Sequence, residues 1–534
     1  MYAAVLGRRA DPSARQKPQS PERQPHISMH APVPPAPADG WVLWHTRQLR
    51  VADHPAVAYI RRQGGRCWPI FIADPRFCEH GRTSAARLRF LFESLADLQT
   101  QYADRGGRLS ILAGDPRRIL PQLADAGWRI ATPAEPTGRY GLARDDAVAA
   151  TADVTFVDAD GLLRGDAGRD DWRGHVTEWF RADAHAPPSP SMLLEGPTET
   201  TPAALIDRHA AAPRQEIARR GGSTAAHEQL QRFIAAIDAY PGAISAPAAA
   251  REGTSQLSPY LRFGCLSLRA VYQAVMDAVP AGRPRQMFIS RLYWNRYYNQ
   301  RLADWPGWLD TAVNPAMVDF HAETHDPTLI TAWQRGQTGF PMVDASMRCL
   351  RRSGWLNFRM RAMCASFLCD LCQQPWRIGA DWYYRQLLDA DPAINYTQFQ
   401  LQAGMDGRRT LRIYNPRKQV RDNDPDGRFI HRWVPELRAL PPEYLDRPEH
   451  TPLAVQQRVG VRIGDDYPRP VIDHDGARAA ILRKFEQVRP AAERARRIPA
   501  IARRIDVARG AATGAPPAVP PASATDPQRS LSEF

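Results

Sequence analysis

Several absences narrow this 534-residue chain before any motif is read. Cysteine is scarce, with seven residues, which excludes a disulfide-stapled fold. No run reaches the roughly eighteen apolar residues a membrane helix needs. The N-terminus carries arginines but no apolar stretch after them, so no secretory leader is read there. The expectation is a cytoplasmic protein without membrane contact. Neither a Gly-x-Gly-x-x-Gly loop nor a Walker A loop is present, which removes the dinucleotide fingerprint and the ATP loop.

What is there describes a sizeable soluble protein. Hydrophobic residues make up 43% and charged residues 24%. The net charge of +13, carried mostly by Arg, points to polyanionic partners, nucleic acid foremost, although an Arg-rich solvated surface would give the same number. Cys364, Cys369 and Cys372 lie close on one expected helix, with Cys349 one helix earlier. They sit in an apolar run with no Cys/His set at ligand spacing, so they read as core thiols and no metal is expected.

Taken in order, residues 1–39 are Pro-rich with Tyr2 as their one aromatic, too little apolar surface to order themselves. Over 40–164, strands near Trp41–Trp44, Cys67–Ile72, Leu109–Leu112 and Trp128–Ile130 alternate with helices Ser84–Tyr102 and Arg118–Ala126. That alternation implies a parallel α/β sheet. Residues 165–225 read as a long connector and 226–505 as an all-α domain. The tail, 506–534, is expected to be disordered.

Within the helical part, Thr254-Ser255-Gln256-Leu257-Ser258-Pro259 reads as an N-cap followed by Pro at the first helical position. Free amides and hydroxyls there would suit a diphosphate; an ordinary cap explains the residues as well. Met287–Tyr298 interleaves aromatics with Arg, which suits bases and phosphates or simply a bundle core. From Trp333 to Leu437, apolar residues recur at helical spacing (Val343, Met347, Leu350; Met363, Phe367, Leu371). Arg361, Asp389 and Asn395 interrupt that pattern. They are costly to bury unless they pair with each other or hold a ligand, and a flat hydrogen-bonding heterocycle would fit.

The landmarks Trp333–Pro341, Gly354-Trp355, Arg359, Arg361, Trp376-Arg377-Ile378-Gly379, Leu388–Asn395, Arg412–Pro416 and Trp433–Leu437 closely resemble the flavin-binding domain of the photolyase/cryptochrome family. Trp44, Leu49-Arg50, Asp53, Pro55 and Gly114-Asp115-Pro116 resemble its N-terminal α/β domain. The resemblance implies FAD in a U-shape within the bundle. It assigns Tyr240, Thr254, Ser255, Gln256, Leu257, Ser258, Phe288, Arg361, Asp389, Asp391 and Asn395 to the cofactor, with Asn395 facing flavin N5. It assigns Arg291, Trp294, Phe358, Arg359 and Arg412 to DNA and its lesion, and Asn395, Trp376 and Trp294 to the photochemistry. It also allows a light-harvesting second chromophore of unknown identity near Glu135-Pro136 and Arg144-Asp145.

The implied activity is that of a carbon–carbon lyase: blue-light-driven splitting of pyrimidine dimers in UV-damaged DNA by a monomeric enzyme. The alternative is a cryptochrome-like photoreceptor with a signalling partner. Departures from the family pattern keep both open. Arg291 stands where cyclobutane photolyases carry Glu, Phe358 where they carry Asn, and Gln256 where Arg or Lys is usual. The His pair of (6-4) enzymes is replaced by Asn357-Phe358. Of the three-Trp photoreduction chain only Trp376 is kept, with Phe399 and Glu323 at the other positions.

Overall fold

The computed structural model describes residues 32–78, 83–158, 160–165, 168–211, 219–321 and 325–506. Five parallel strands, β1 (Gly40–His45), β2 (Arg66–Ala73), β3 (Ser110–Ala113), β4 (Arg129–Pro133) and β5 (Val154–Val157), form one sheet in the order β3-β2-β1-β4-β5. β1 is central, pairing Trp41 with Cys67 on one side and Val42 with Ile130 on the other. Trp41 and Leu43 enter one apolar cluster while Val42 and Trp44 enter another. Both faces are covered, so these strands read as unbroken apolar runs.

The helices that flank the sheet start where their caps lie. Ser84 Oγ accepts from Arg87 N at 3.3 Å to open α1 (Ala85–Ala103), and Asp115 Oδ1 accepts from Arg117 N at 3.0 Å to open α2 (Pro116–Asp125). β5 and helix α3 (Arg139–Ala149) add to the sequence reading.

Residues 32–39, expected to be disordered, lie against the sheet: Trp128 Nε1 donates to Pro34 O at 2.8 Å and Asp39 pairs with Arg66 at 2.7 Å. Proline carbonyls still accept hydrogen bonds, so a segment poor in apolar side chains is held through its backbone. Residues 1–31 and the tail from 507, expected to be disordered, lie outside the described residues. The connector likewise packs on the sheet. Leu194 N donates to Cys67 O at 2.8 Å, and Phe180, on helix Trp172–Arg181, stacks on Tyr272 with centroids 4.7 Å apart.

The helical layer includes α4 (Ser258–Arg262), α5 (Arg283–Asp304), α6 (Pro341–Ser353), α7 (Phe358–Ser366), α8 (Trp376–Gln386), α9 (Pro392–Gln402) and α10 (His474–Arg496). Cys364 and Cys369 are fully buried in its core. The Thr338–Asp344 motif is structural: the buried Asp344 carboxylate accepts from Thr338 N at 2.7 Å, Gly339 N at 3.1 Å and Tyr467 Oη at 2.6 Å. The two layers meet closely at Gly264. A side chain there would stand 2.4 Å from Gln48 Cα, and Arg50 Nη1 donates to Gly264 O at 2.8 Å.

Candidate functional site: a polar cavity between the layers

Most of the residues singled out in the sequence line one cavity of about 380 Å³ at this junction. One wall is built by α7 and the loop before α9. Arg361 Nη2 donates to Asp389 Oδ2 at 2.8 Å and its Nε to Leu356 O at 2.6 Å. Asp391 also lines the cavity, yet its side chain caps α9, accepting from Ile394 N at 3.1 Å, and lies 3.9 Å from Arg47. Asn395 is buried one turn into α9 and is not among the lining residues; its amide donates to Ala380 O at 2.9 Å, tying α9 to α8.

The facing wall carries Tyr240, Thr254, Ser255, Gln256, Ser258 and Phe288. Here the cap expected at Ser258 is corrected. Leu257 is the N-cap residue, Ser258 and Pro259 open α4, and no side chain caps it. The reason is local: Gln256 takes a left-handed φ of 52° and its Nε2 donates to Thr254 Oγ1 at 3.1 Å, turning the chain one residue early. Leu257 itself points away into the core. Phe288 is buried against Phe233 and Tyr240 with centroids at 4.6 and 5.8 Å.

At the rim, Phe358 is 38% exposed, unusual for a large apolar residue. Trp294 stacks on Tyr298 with centroids 5.7 Å apart, and both line the cavity. Arg291 lines it too, within hydrogen-bonding reach of the Tyr240 hydroxyl. Arg359 is buried, whereas Arg412 is exposed and outside the lining, though both act on Tyr414. Trp376 also stands outside the lining, edge-on to Tyr396 at 6.5 Å. Glu323 falls outside the described residues.

Sequence reasoning missed the α/β layer's share of this wall. Arg47 pairs with Glu135, and Arg262 lies beside them, its Nε donating to Ala390 O at 2.7 Å. Burial pushes Arg262 down to about 10, with Arg47 adding to the effect. Burial works against the Glu135 charge, but Arg47, Gln48 and Arg262 outweigh it and hold that carboxyl below its usual range. For Arg262, on α4, the adjacent Pro259-Tyr260-Leu261 run was the available signal; the Arg47–Glu135 pairing had none.

Residues lining this cavity carry buried polar atoms with no hydrogen-bond partner: Ser245 Oγ, Arg262 Nη1, Arg291 Nε, Asn357 Oδ1, Arg359 Nε and Nη2, and Asp389 Oδ1. Each unmet group costs about 1–3 kcal/mol, so the set is arranged for a ligand rather than for itself. The set holds both donors and acceptors, and several donors are cationic. That combination fits FAD, a hydrogen-bonding heterocycle joined to a diphosphate. A second cleft, of about 1150 Å³, shares the Ala134–Pro136 wall and reaches Asp145 and Arg164. Arg144 lies over the Trp44 ring and pairs with Asp145 at 2.7 Å. Among the described residues no helix is long and apolar enough to cross a membrane.

Comparison with known proteins agrees with this architecture. A family profile described as DNA photolyase matches residues 41–164, and one described as the FAD binding domain of DNA photolyase matches 288–487. The chain is 31% identical over 490 residues to a deoxyribodipyrimidine photo-lyase of Synechococcus sp., covering 84% of this chain and 97% of that one. It is 30% identical to a cryptochrome DASH of Natronomonas pharaonis, covering 82% and 98% respectively. A bacterial class III photolyase structure from Agrobacterium tumefaciens superposes with a TM-score of 0.73 at 28% identity, covering 87% of this chain and all of that one.

Proposed function

Because this chain belongs to the photolyase/cryptochrome family, we propose that it is an FAD-dependent, blue-light-driven DNA repair enzyme, a monomeric cytoplasmic lyase that splits UV-induced pyrimidine dimers. The observation that carries this reading is the cavity itself: partnerless polar atoms inside and an exposed aromatic with cations at its rim.

The cofactor, when bound, supplies light-driven electron transfer to the lesion; the protein's share is placement. Arg361 and Asp389 present a fixed cation and a free carboxylate oxygen to the heterocycle edge. Asn395, already holding Ala380 O with its NH₂, keeps its carbonyl end oriented by that bond. Phe358 offers a face for a base swung out of the stack, and Trp294 with Tyr298 forms an aromatic wall beside it. Arg412, exposed beyond the rim, meets phosphate.

The direct test uses flavin-loaded, pre-reduced protein and oligonucleotides bearing one cyclobutane dimer or one (6-4) lesion. Restoration is followed by chromatography in blue light and in the dark. Light-dependent restoration of either lesion supports the reading. A second reading, a photoreceptor acting through a signalling partner, is favoured by one feature: Phe358 and Arg291 occupy positions where lesion-contacting Asn and Glu are expected. Intact flavin photochemistry with no repair of either lesion would select it.

A further inference from the structure

Two unusual residues line the same cavity: neutral Gln256, where the family pattern calls for a cation, and Arg291, where it calls for an acid. Gln256 spends its amide on Thr254 Oγ1, and its left-handed backbone turns it within its own loop. It brings no charge to this end of the cavity. Arg291 comes from the first half of α5 and meets the Tyr240 hydroxyl; Tyr298 is a second neighbour. Its Nε is buried without a partner, and among the described residues no carboxylate pairs with it. The side chain as a whole is only partly buried, so an anion entering the cavity can reach this guanidinium without displacing a carboxylate. The Tyr240 and Ser255 hydroxyls line the cavity with Arg291, whereas the Thr254 hydroxyl is spent on Ala250 O at 2.6 Å. A forked cation beside these two hydroxyls suits a phosphate, whose oxygens accept many hydrogen bonds at once.

We propose that Arg291 is a cofactor-binding residue: with Tyr240 it holds the FAD diphosphate, taking over the charge contact that Gln256 cannot make. This rests on the FAD reading of the cavity. It moves Arg291 from the DNA side of the site to the cofactor side, and leaves Trp294 and Phe358 to meet the lesion.

The test is flavin release on dilution of purified holoprotein, followed by the rise in free-FAD fluorescence at low and high salt. Arg291→Ala is expected to weaken FAD binding about ten- to a hundredfold and to flatten its salt dependence. Arg291→Lys keeps much of the affinity, and Gln256→Arg added to Arg291→Ala restores part of the loss. If Arg291→Ala holds FAD as tightly as the parent while Asp389→Ala sheds it, the assignment is overturned and the FAD site stands. If both variants hold FAD like the parent, the FAD placement itself falls. Equal loss in the Ala and Lys variants with unchanged salt dependence would trace the effect to packing and also overturn the assignment.

Discussion

Arg361 Nη2 and Asp389 Oδ2 stand 2.8 Å apart, while the other Asp389 oxygen is buried with nothing to accept from. Half of the carboxylate therefore orients the arginine and the other half waits for a donor. Asp389→Ala removes both functions and leaves Arg361 without its counter-charge. The expected outcome is FAD binding weakened by about 2 kcal/mol, roughly thirtyfold, read as a lower flavin-to-protein absorbance ratio after purification. Asn395→Ala acts differently, because its amide serves Ala380 O. That variant should keep most of its flavin but change the redox state in which it is isolated. Unchanged spectra for both would refute the placement.

The rim makes a separable prediction about DNA. Phe358 is exposed and apolar; Arg412 is exposed and charged. Phe358→Ala should cost about 1–3 kcal/mol of affinity for lesion-bearing DNA with little change in salt dependence, as loss of stacking does. Arg412→Ala should lower affinity for damaged and undamaged DNA alike, and reduce the log–log salt slope by about 1. Fluorescence anisotropy at several salt concentrations distinguishes the two. Parent-like binding in both variants would mean that DNA docks elsewhere.

Much of this was legible in the chain, for physical reasons that also mark where legibility stops. β1 and β2 are buried on both faces, so their apolar runs are continuous; β5 is a half-buried edge strand of four residues and leaves little trace. Ser84 and Asp115 cap α1 and α2 through local chemistry, and the expected helices Ser84–Tyr102 and Arg118–Ala126 start within two residues of the observed ones. The cap at Ser258 misled because a left-handed Gln256 shifts the helix start, and nothing in the residue type demands that conformation. Arg361, Asp389 and Tyr240 could be placed by order along the chain. The Arg47–Glu135 pair joins residues 88 apart in sequence to a wall completed by Asp391, and only the packing of sheet on bundle reveals it.

Phe399 carries a prediction about electron supply. It is buried edge-on to Tyr383 with centroids 5.1 Å apart, and its ring fills the space above Gly379, where an added Cβ would come within 2.6 Å. Phenylalanine is a poor hole carrier, so Trp376 lacks a conducting neighbour at this position. Phe399→Trp should speed light-driven flavin reduction in the presence of a thiol, measured by the bleaching of oxidised flavin. The larger ring should also cost about 1–3 kcal/mol of stability through crowding at Gly379. An unchanged rate in a folded variant would place the electron route elsewhere.

His321 makes stability depend on pH. It is fully buried, its Nε2 lies 3.0 Å from Ala403 O, its Nδ1 has no partner, and burial pushes it down to about 4. The unfolded chain, with an ordinary histidine near pH 6.5, therefore binds this proton more readily than the folded one. The stabilisation is present above pH 6.5 and is lost as pH falls toward 4, by about 1.4 kcal/mol per pH unit within that window. His45, buried and likewise pushed down to about 4, has the same sign. His321→Gln keeps an N–H for Ala403 O but has no proton to gain. Urea unfolding at pH 7 and pH 5 should show the variant losing about 2 kcal/mol less than the parent between the two. Equal losses would mean that His321 binds its proton equally well in the folded and unfolded chain, and a larger loss in the variant would mean that it is already protonated in the fold, with the Asp370 carboxylate 3.7 Å away as its counter-ion.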